Sequence, residues 1–187
     1  VIGIHPFDQP NVQESKDNTG RILKEVQATG HLPAVTTVNP RTALSQLIDR
    51  CEPGTYVGIL AYMQPSRQAD RALRRLRHLL VTRTHVATTA GYGPRYLHST
   101  GQVHKGGPPK GLFLQLIETP KADIPIPGQS YTFGTLAQAQ AIGDLQSLLS
   151  RQRPVIQVRL GARPLVTLRA LGAPSSSLPR TPRRATP

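Results

Sequence analysis

Apolar residues recur at helical spacing in some stretches of the chain and alternate with other residues in others, and the two kinds of stretch follow one another. Residues 1–4 are a short apolar run that reads as a strand. Pro10 then suits a first helical turn with Asp8 or Gln9 near the cap, and Val12, Thr19, Ile22, Leu23 and Val26 follow at helical spacing. A Gly/Pro/Thr-rich connector, residues 29–40, leads to a second helix. Asn39-Pro40 signal its start, and Leu44, Leu47, Ile48 and Cys51 form its apolar stripe. Val57, Ile59 and Ala61 alternate within residues 55–63, which predicts a strand bounded by Pro53-Gly54 and Pro65. The clearest helix comes next. Ala69, Ala72, Leu73, Leu76, Leu79 and Leu80 share one face, and Arg67, Arg71, Arg74, Arg75 and Arg77 fill the others.

Residues 85–89 read as a further strand, residues 111–117 as a short apolar one and residues 155–160 as the last. Leu136, Ala139, Ile142, Leu145 and Leu148 place a helix over residues 135–149. Strands alternating with helices predict an α/β domain with a mainly parallel sheet covered by helices on both faces. Residues 90–110 show neither period and read as a long Gly- and Pro-rich loop, of a length that is usually functional or disordered. Beyond Gly161 the apolar pattern decays into Pro, Ser, Arg and Thr. The division is therefore an α/β domain over 1–160 and a low-complexity basic tail over 161–187, with disorder expected from its few apolar residues.

At 187 residues the chain is the size of one domain plus a tail. No apolar run is long enough to span a membrane, and the chain reads as soluble and cytoplasmic. The single cysteine, Cys51, excludes an internal disulfide and a zinc-type cysteine cluster, and its place in an apolar stripe makes it core. The absence of an initiating Met and the apolar start suggest a piece of a longer polypeptide. The net charge of +13 raises the question of nucleic acid. Eight of the arginines fall within residues 151–187, where there is no acid, and most of the remaining excess lies on the helix over residues 67–83. With three Phe, five Tyr and no Trp, the chain offers no interleaved stacking platform, so nucleic acid is disfavoured as a partner.

The chemistry-bearing positions fall in two places. In the first, Pro6-Phe7-Asp8-Gln9 precedes a helix that carries Lys16 seven residues after Gln9, at the edge of the Val12/Thr19/Leu23 stripe. A lysine beside apolar surface can have a tuned pKa and move a proton. The simpler reading is a stem lying along the stripe with its ammonium in water. In the second, residues 91–107 combine glycines with Arg95, His98, Ser99, Thr100, Gln102, His104 and Lys105, a donor set able to cradle a phosphate or carboxylate, or else an interdomain contact. His98 and His104 are poorly spaced for one helical face and lack a third ligand, so no metal site is expected. Glu14 and Asp17 read as surface residues, and Asp144 and Glu118 have no identifiable partner in the sequence.

Phe7-Asp8-Gln9 with Lys16, the run from Gly91 through Tyr92-Gly93-Pro94-Arg95 to Pro108, and Pro125-Ile126-Pro127-Gly128 with Tyr131-Thr132-Phe133-Gly134-Thr135 occur in that order. In this the chain resembles the glucose-6-phosphate isomerase family, and in particular the C-terminal part of bacterial enzymes that fuse a transaldolase to the isomerase. His5-Pro6 departs from the family's usual approach to the Phe, and the resemblance ends near residue 160. It implies a SIS-like fold and interconversion of glucose 6-phosphate and fructose 6-phosphate through a cis-enediol without a cofactor, in glycolysis and gluconeogenesis. Lys16 matches the family's active-site lysine. Gln9, Arg95, His98, Ser99, Thr100, Gln102, His104 and Lys105 are the expected substrate contacts. The family's glutamate, histidine and phosphate loops have no match here, so the resemblance also implies upstream sugar-isomerase and transaldolase domains as partners and a fragment inactive by itself. The oligomeric state is left open. A non-catalytic module that binds sugar phosphate is the rival reading.

Overall fold

The computed structural model describes residues 10–120 and 122–173. The strand read at residues 1–4, the Phe7-Asp8-Gln9 turn and the end of the basic tail lie outside the described residues. The elements follow in the order α1 (Pro10–Thr29), α2 (Pro40–Asp49), β1 (Tyr56–Tyr62), α3 (Arg67–Thr84), β2 (Ala87–Tyr92), a 3-10 turn (Arg95–His98), α4 (Gly101–Gly106), β3 (Gly111–Ile117), α5 (Phe133–Ser150), β4 (Val155–Arg159) and α6 (Pro164–Leu171). The strands form one parallel sheet in the order β2-β1-β3-β4. The α/β fold with a parallel sheet and helices on both faces is the one the periodicity predicts.

Strand alternation divides the core. Val57, Ile59 and Ala61 of β1, Leu112, Leu114 and Leu116 of β3, and Ile156 and Val158 of β4 meet α2, α3 and α6. Leu60, Tyr62, Phe113 and Ile117 meet Tyr96, Leu97 and α5 on the other face. Gly58 leaves room there, since a Cβ would stand 2.7 Å from the Phe113 ring. Helix α3 buries its expected stripe; Ser66 caps it by accepting the Ala69 N–H at 3.1 Å. Cys51 is buried, with its thiol directed to the Leu47 carbonyl.

Helix α1 forms an outer layer on α5. Ile22 packs on Ala139 and Ile142, and Ser147 joins Ser15 and Asn18 through hydroxyl and amide hydrogen bonds. Helix α5 is thus covered both by the sheet and by α1, which is why its buried positions extend well beyond one stripe.

Two expectations need correction. The segment over residues 90–110 is not a loop: it extends β2 to Tyr92 and then builds the 3-10 turn and α4. Its Tyr96, Leu97, His104 and Lys105 are buried, but short elements with polar residues inside carry no readable period. The domain also continues past residue 160. Arg163 precedes α6, whose Leu168 and Leu171 are buried against the α3 side of the sheet. Eight helical residues were too few, and too close to the Pro/Arg-rich end, to stand out.

Candidate functional site

In an open parallel sheet, neighbouring strands whose connections leave in opposite directions open a crevice at their carboxyl ends. Here those strands are β1, which leads through α3 to β2, and β3, which leads through α5 to β4. A crevice of about 490 Å³ lies at this point, lined by Tyr62, Met63, Gln64, Gly93, Glu118 and Ala137. Glu118 follows β3 directly and Gln64 follows β1, and the Glu118 carboxylate accepts the Gln64 N–H at 2.9 Å. An adjoining recess shares Met63, Gln64 and Glu118 and adds Ser66 and Arg163. A half-buried carboxylate, an exposed carboxamide and a guanidinium are groups that hold hydroxyls and an anion.

Behind the crevice the apolar core on this sheet face encloses a few buried polar groups. Lys105 Nζ lies 2.5 Å from Asp144 Oδ1, and both side chains are excluded from solvent. The Tyr96 hydroxyl donates to the other Asp144 oxygen. Tyr62, a wall of the crevice, brings its buried hydroxyl close to this carboxylate without making a hydrogen bond of good geometry. Burial first, and the Asp144 charge in addition, hold both phenols well above the usual tyrosine range. His104 packs edge-on to Phe113, and its Nδ1 lies 2.9 Å from the Tyr56 hydroxyl. Burial, followed by the Lys105 charge, lowers its pKa from 6.5 to about 4, so the ring is neutral near pH 7 and shares one hydrogen bond with the Tyr56 hydroxyl through Nδ1. Arg153 closes the lower end of α4, donating to the Lys105 and Gly107 carbonyls at 2.9 and 2.5 Å.

These contacts correct part of the expected site. His104 and Lys105, expected as ligand donors, are buried and engaged inside the domain. Asp144, without a visible partner in the sequence, has Lys105 and Tyr96. Arg95, His98, Ser99 and Thr100 are exposed around the 3-10 turn. Gln102 accepts the Asn11 N–H at 3.3 Å, joining α4 to the start of α1, and Gln9 lies outside the described residues. Lys16 is exposed and makes no hydrogen bond or ion pair with described residues. Glu14 and Asp17 are surface residues as expected; Glu14 pairs with Arg151 at 2.9 Å.

The structure does not bring Lys16 to the crevice. Helix α1 runs antiparallel to α5, setting Ser15 beside Ser147, whereas the crevice touches α5 at Ala137. Ten residues of helix separate the two levels by roughly 15 Å. The other family-like run, residues 125–135, builds the entry to α5. Asp123 accepts Thr132 Oγ1 at 2.5 Å and the Gly134 N–H at 2.7 Å, which lowers its pKa, and Thr132 caps the helix through the Thr135 N–H. Glu118 and Gln64 were missed as site residues, although polar residues just past two predicted parallel strands are a readable signal. Among the described residues no group of three or more His, Cys, Asp or Glu could hold a metal ion, and no helix is long and apolar enough to cross a membrane.

A parallel sheet between helical layers, with its crevice where the strand order reverses, defines an open, parallel α/β architecture. Among solved structures, a hypothetical protein of Thermus thermophilus is similar, with a TM-score of 0.57 and 17% identity over 83% of this chain. The likeness is one of fold, and this chain covers 42% of that one. No family model and no curated protein matches the sequence.

Proposed function

We propose that the chain is the C-terminal α/β part of a glucose-6-phosphate isomerase, of the kind fused to a transaldolase, and that it supplies Lys16 to an active site completed by another domain. The observation that carries this reading is the position of Lys16. It stands on the outer helix, unpaired among the described residues, one residue after Ser15, whose hydroxyl bonds to Ser147 on α5. A lysine on a helix anchored in this way is held at a surface that another domain can cover, and its ammonium is free to stabilise charge or transfer a proton during ring opening. The ordered run of family-like segments supports the same assignment. The substrates would be glucose 6-phosphate and fructose 6-phosphate, with no cofactor.

The test uses the full-length enzyme. Lys16→Met should lower turnover of ring-closed glucose 6-phosphate by on the order of 100-fold, the usual contribution of a positioned acid-base group. Thermal stability and transaldolase activity should be unchanged, and the isolated chain should not isomerise. Near-normal isomerase turnover in the variant removes the assignment.

The crevice supports a second reading, a module that binds sugar phosphate without turning it over, because Glu118 and Arg163 stand apart from Lys16. Calorimetric binding of fructose 6-phosphate to the isolated chain, lost in Glu118→Gln, would favour that reading.

A further inference from the structure

Helix α3 buries one stripe on the sheet and presents cations elsewhere. Arg71, Arg74, Arg75 and His78 rim a groove of about 760 Å³ against α6, which adds Arg169; Leu79 is part of its wall. The groove exists because α6 ends tightly on α3: a Cβ at Gly172 would stand 3.0 Å from the Leu76 nitrogen. No carboxylate lines it among the described residues. The acid of α3, Asp70, is engaged elsewhere, accepting the Tyr92 hydroxyl at 2.7 Å. Arg71, Arg74 and Arg75 are exposed and make no hydrogen bond or ion pair with described residues, and Arg169 reaches the neutral Gln68 amide at 3.0 Å. Several cations in one concavity repel one another and create a field that attracts an anionic partner.

We infer that this groove docks an acidic, partly apolar segment of a partner protein. The rim supplies guanidinium forks, which take carboxylates in a bidentate fashion. Leu79, Gly172, Ala173 and the arginine stems supply hydrocarbon between them, and apolar side chains of a peptide can use that surface. A phosphodiester backbone uses only the charge, and no Phe, Tyr or Trp lines the groove to stack a base, which leaves His78 as the one ring on its rim among the described residues. Residues 174–187 carry three arginines and no acid, so their charge does not complement the rim. A second copy brings its own excess of +13, which opposes self-association.

Fluorescence anisotropy on the full chain tests this with a labelled 14-residue helical peptide of Glu and Leu, the same peptide with Gln for Glu, and a 20-nucleotide single strand. The Glu peptide should bind, the Gln peptide should not, and Arg71→Glu/Arg75→Glu should weaken binding by about tenfold or more, equivalent to about 1.4 kcal/mol. Arg41→Glu/Arg50→Glu, at the start of α2 and just past its end and an equal change in net charge, should leave affinity within about twofold. The inference is overturned if both charge reversals cost the same, if the Glu and Gln peptides bind alike, or if no peptide binds. It is equally overturned if the oligonucleotide binds more tightly than the peptide through the same arginines, or if sedimentation shows a dimer that Arg71→Glu/Arg75→Glu dissolves.

Discussion

Lys105 and Asp144 show how far a single pair can govern a face of this domain. Neither side chain reaches solvent, and the pair ties the short helix α4 to α5 across the sheet face that Tyr62 and Tyr96 also occupy. Removing one partner leaves the other charge buried and uncompensated. Lys105→Met should therefore cost about 3–5 kcal/mol in urea unfolding, and Lys105→Met/Asp144→Leu should recover a substantial part, since no buried charge then remains. A single variant as stable as the parent would show that water reaches the pair. His104 makes a related prediction in pH. Its folded pKa, about 4, lies below the ordinary 6.5, so as pH falls the unfolded chain takes up a proton first. Its contribution is complete above pH 6.5 and is lost as pH falls toward 4, amounting to roughly 3 kcal/mol at most. Between pH 6.5 and 4.5 the decline in melting temperature should be shallower in His104→Gln than in the parent; equal slopes would place the titration elsewhere. Both residues were visible as polar members of a glycine-rich segment. That they face inward follows from Phe113 and Asp144, which are distant in sequence.

Among the elements, α5 is the one whose surroundings decide its sequence. It meets the sheet on one side and α1 on the other, and the α1 contact is close at Gly143. An added Cβ would stand 2.8 Å from Thr19 Oγ1, 3.0 Å from the Thr19 nitrogen and 3.2 Å from the Ser15 carbonyl. Alanine normally favours a helix over glycine by about 1 kcal/mol. Here two of the three obstacles are backbone atoms of another helix, so Gly143→Ala should be net destabilising, with an overpacking cost of about 1–3 kcal/mol. A rise in the unfolding midpoint would mean that α1 sits further out. The strongly periodic helices, α2 and α3, were legible from their stripes because each buries one face. The 3-10 turn and α4 were not. They bury polar side chains whose partners are supplied by other elements, and a hydrophobic period cannot record that.

At the scale of the molecule, the domain closes only with α6. Chains ending after Leu160 and after Ala173 should behave differently: the first loses the burial of Leu168 and Leu171, each worth about 1.5–3 kcal/mol, whereas the second loses a stretch with few apolar residues. Equal urea midpoints for the two would show that α6 does not stabilise the sheet. The succession of α1, α2, β1, α3, β2, β3, α5 and β4 along the chain, the class of fold, the core role of Cys51 and the basic character of α3 followed from the sequence alone, because each depends on local period and composition. The strand order, the crevice between β1 and β3, the pairing of Lys105 with Asp144, the groove between α3 and α6 and the distance of Lys16 from the crevice were decided by tertiary structure. Each joins residues far apart in the chain, and the register and packing that bring them together are properties of the whole fold rather than of any segment's pattern.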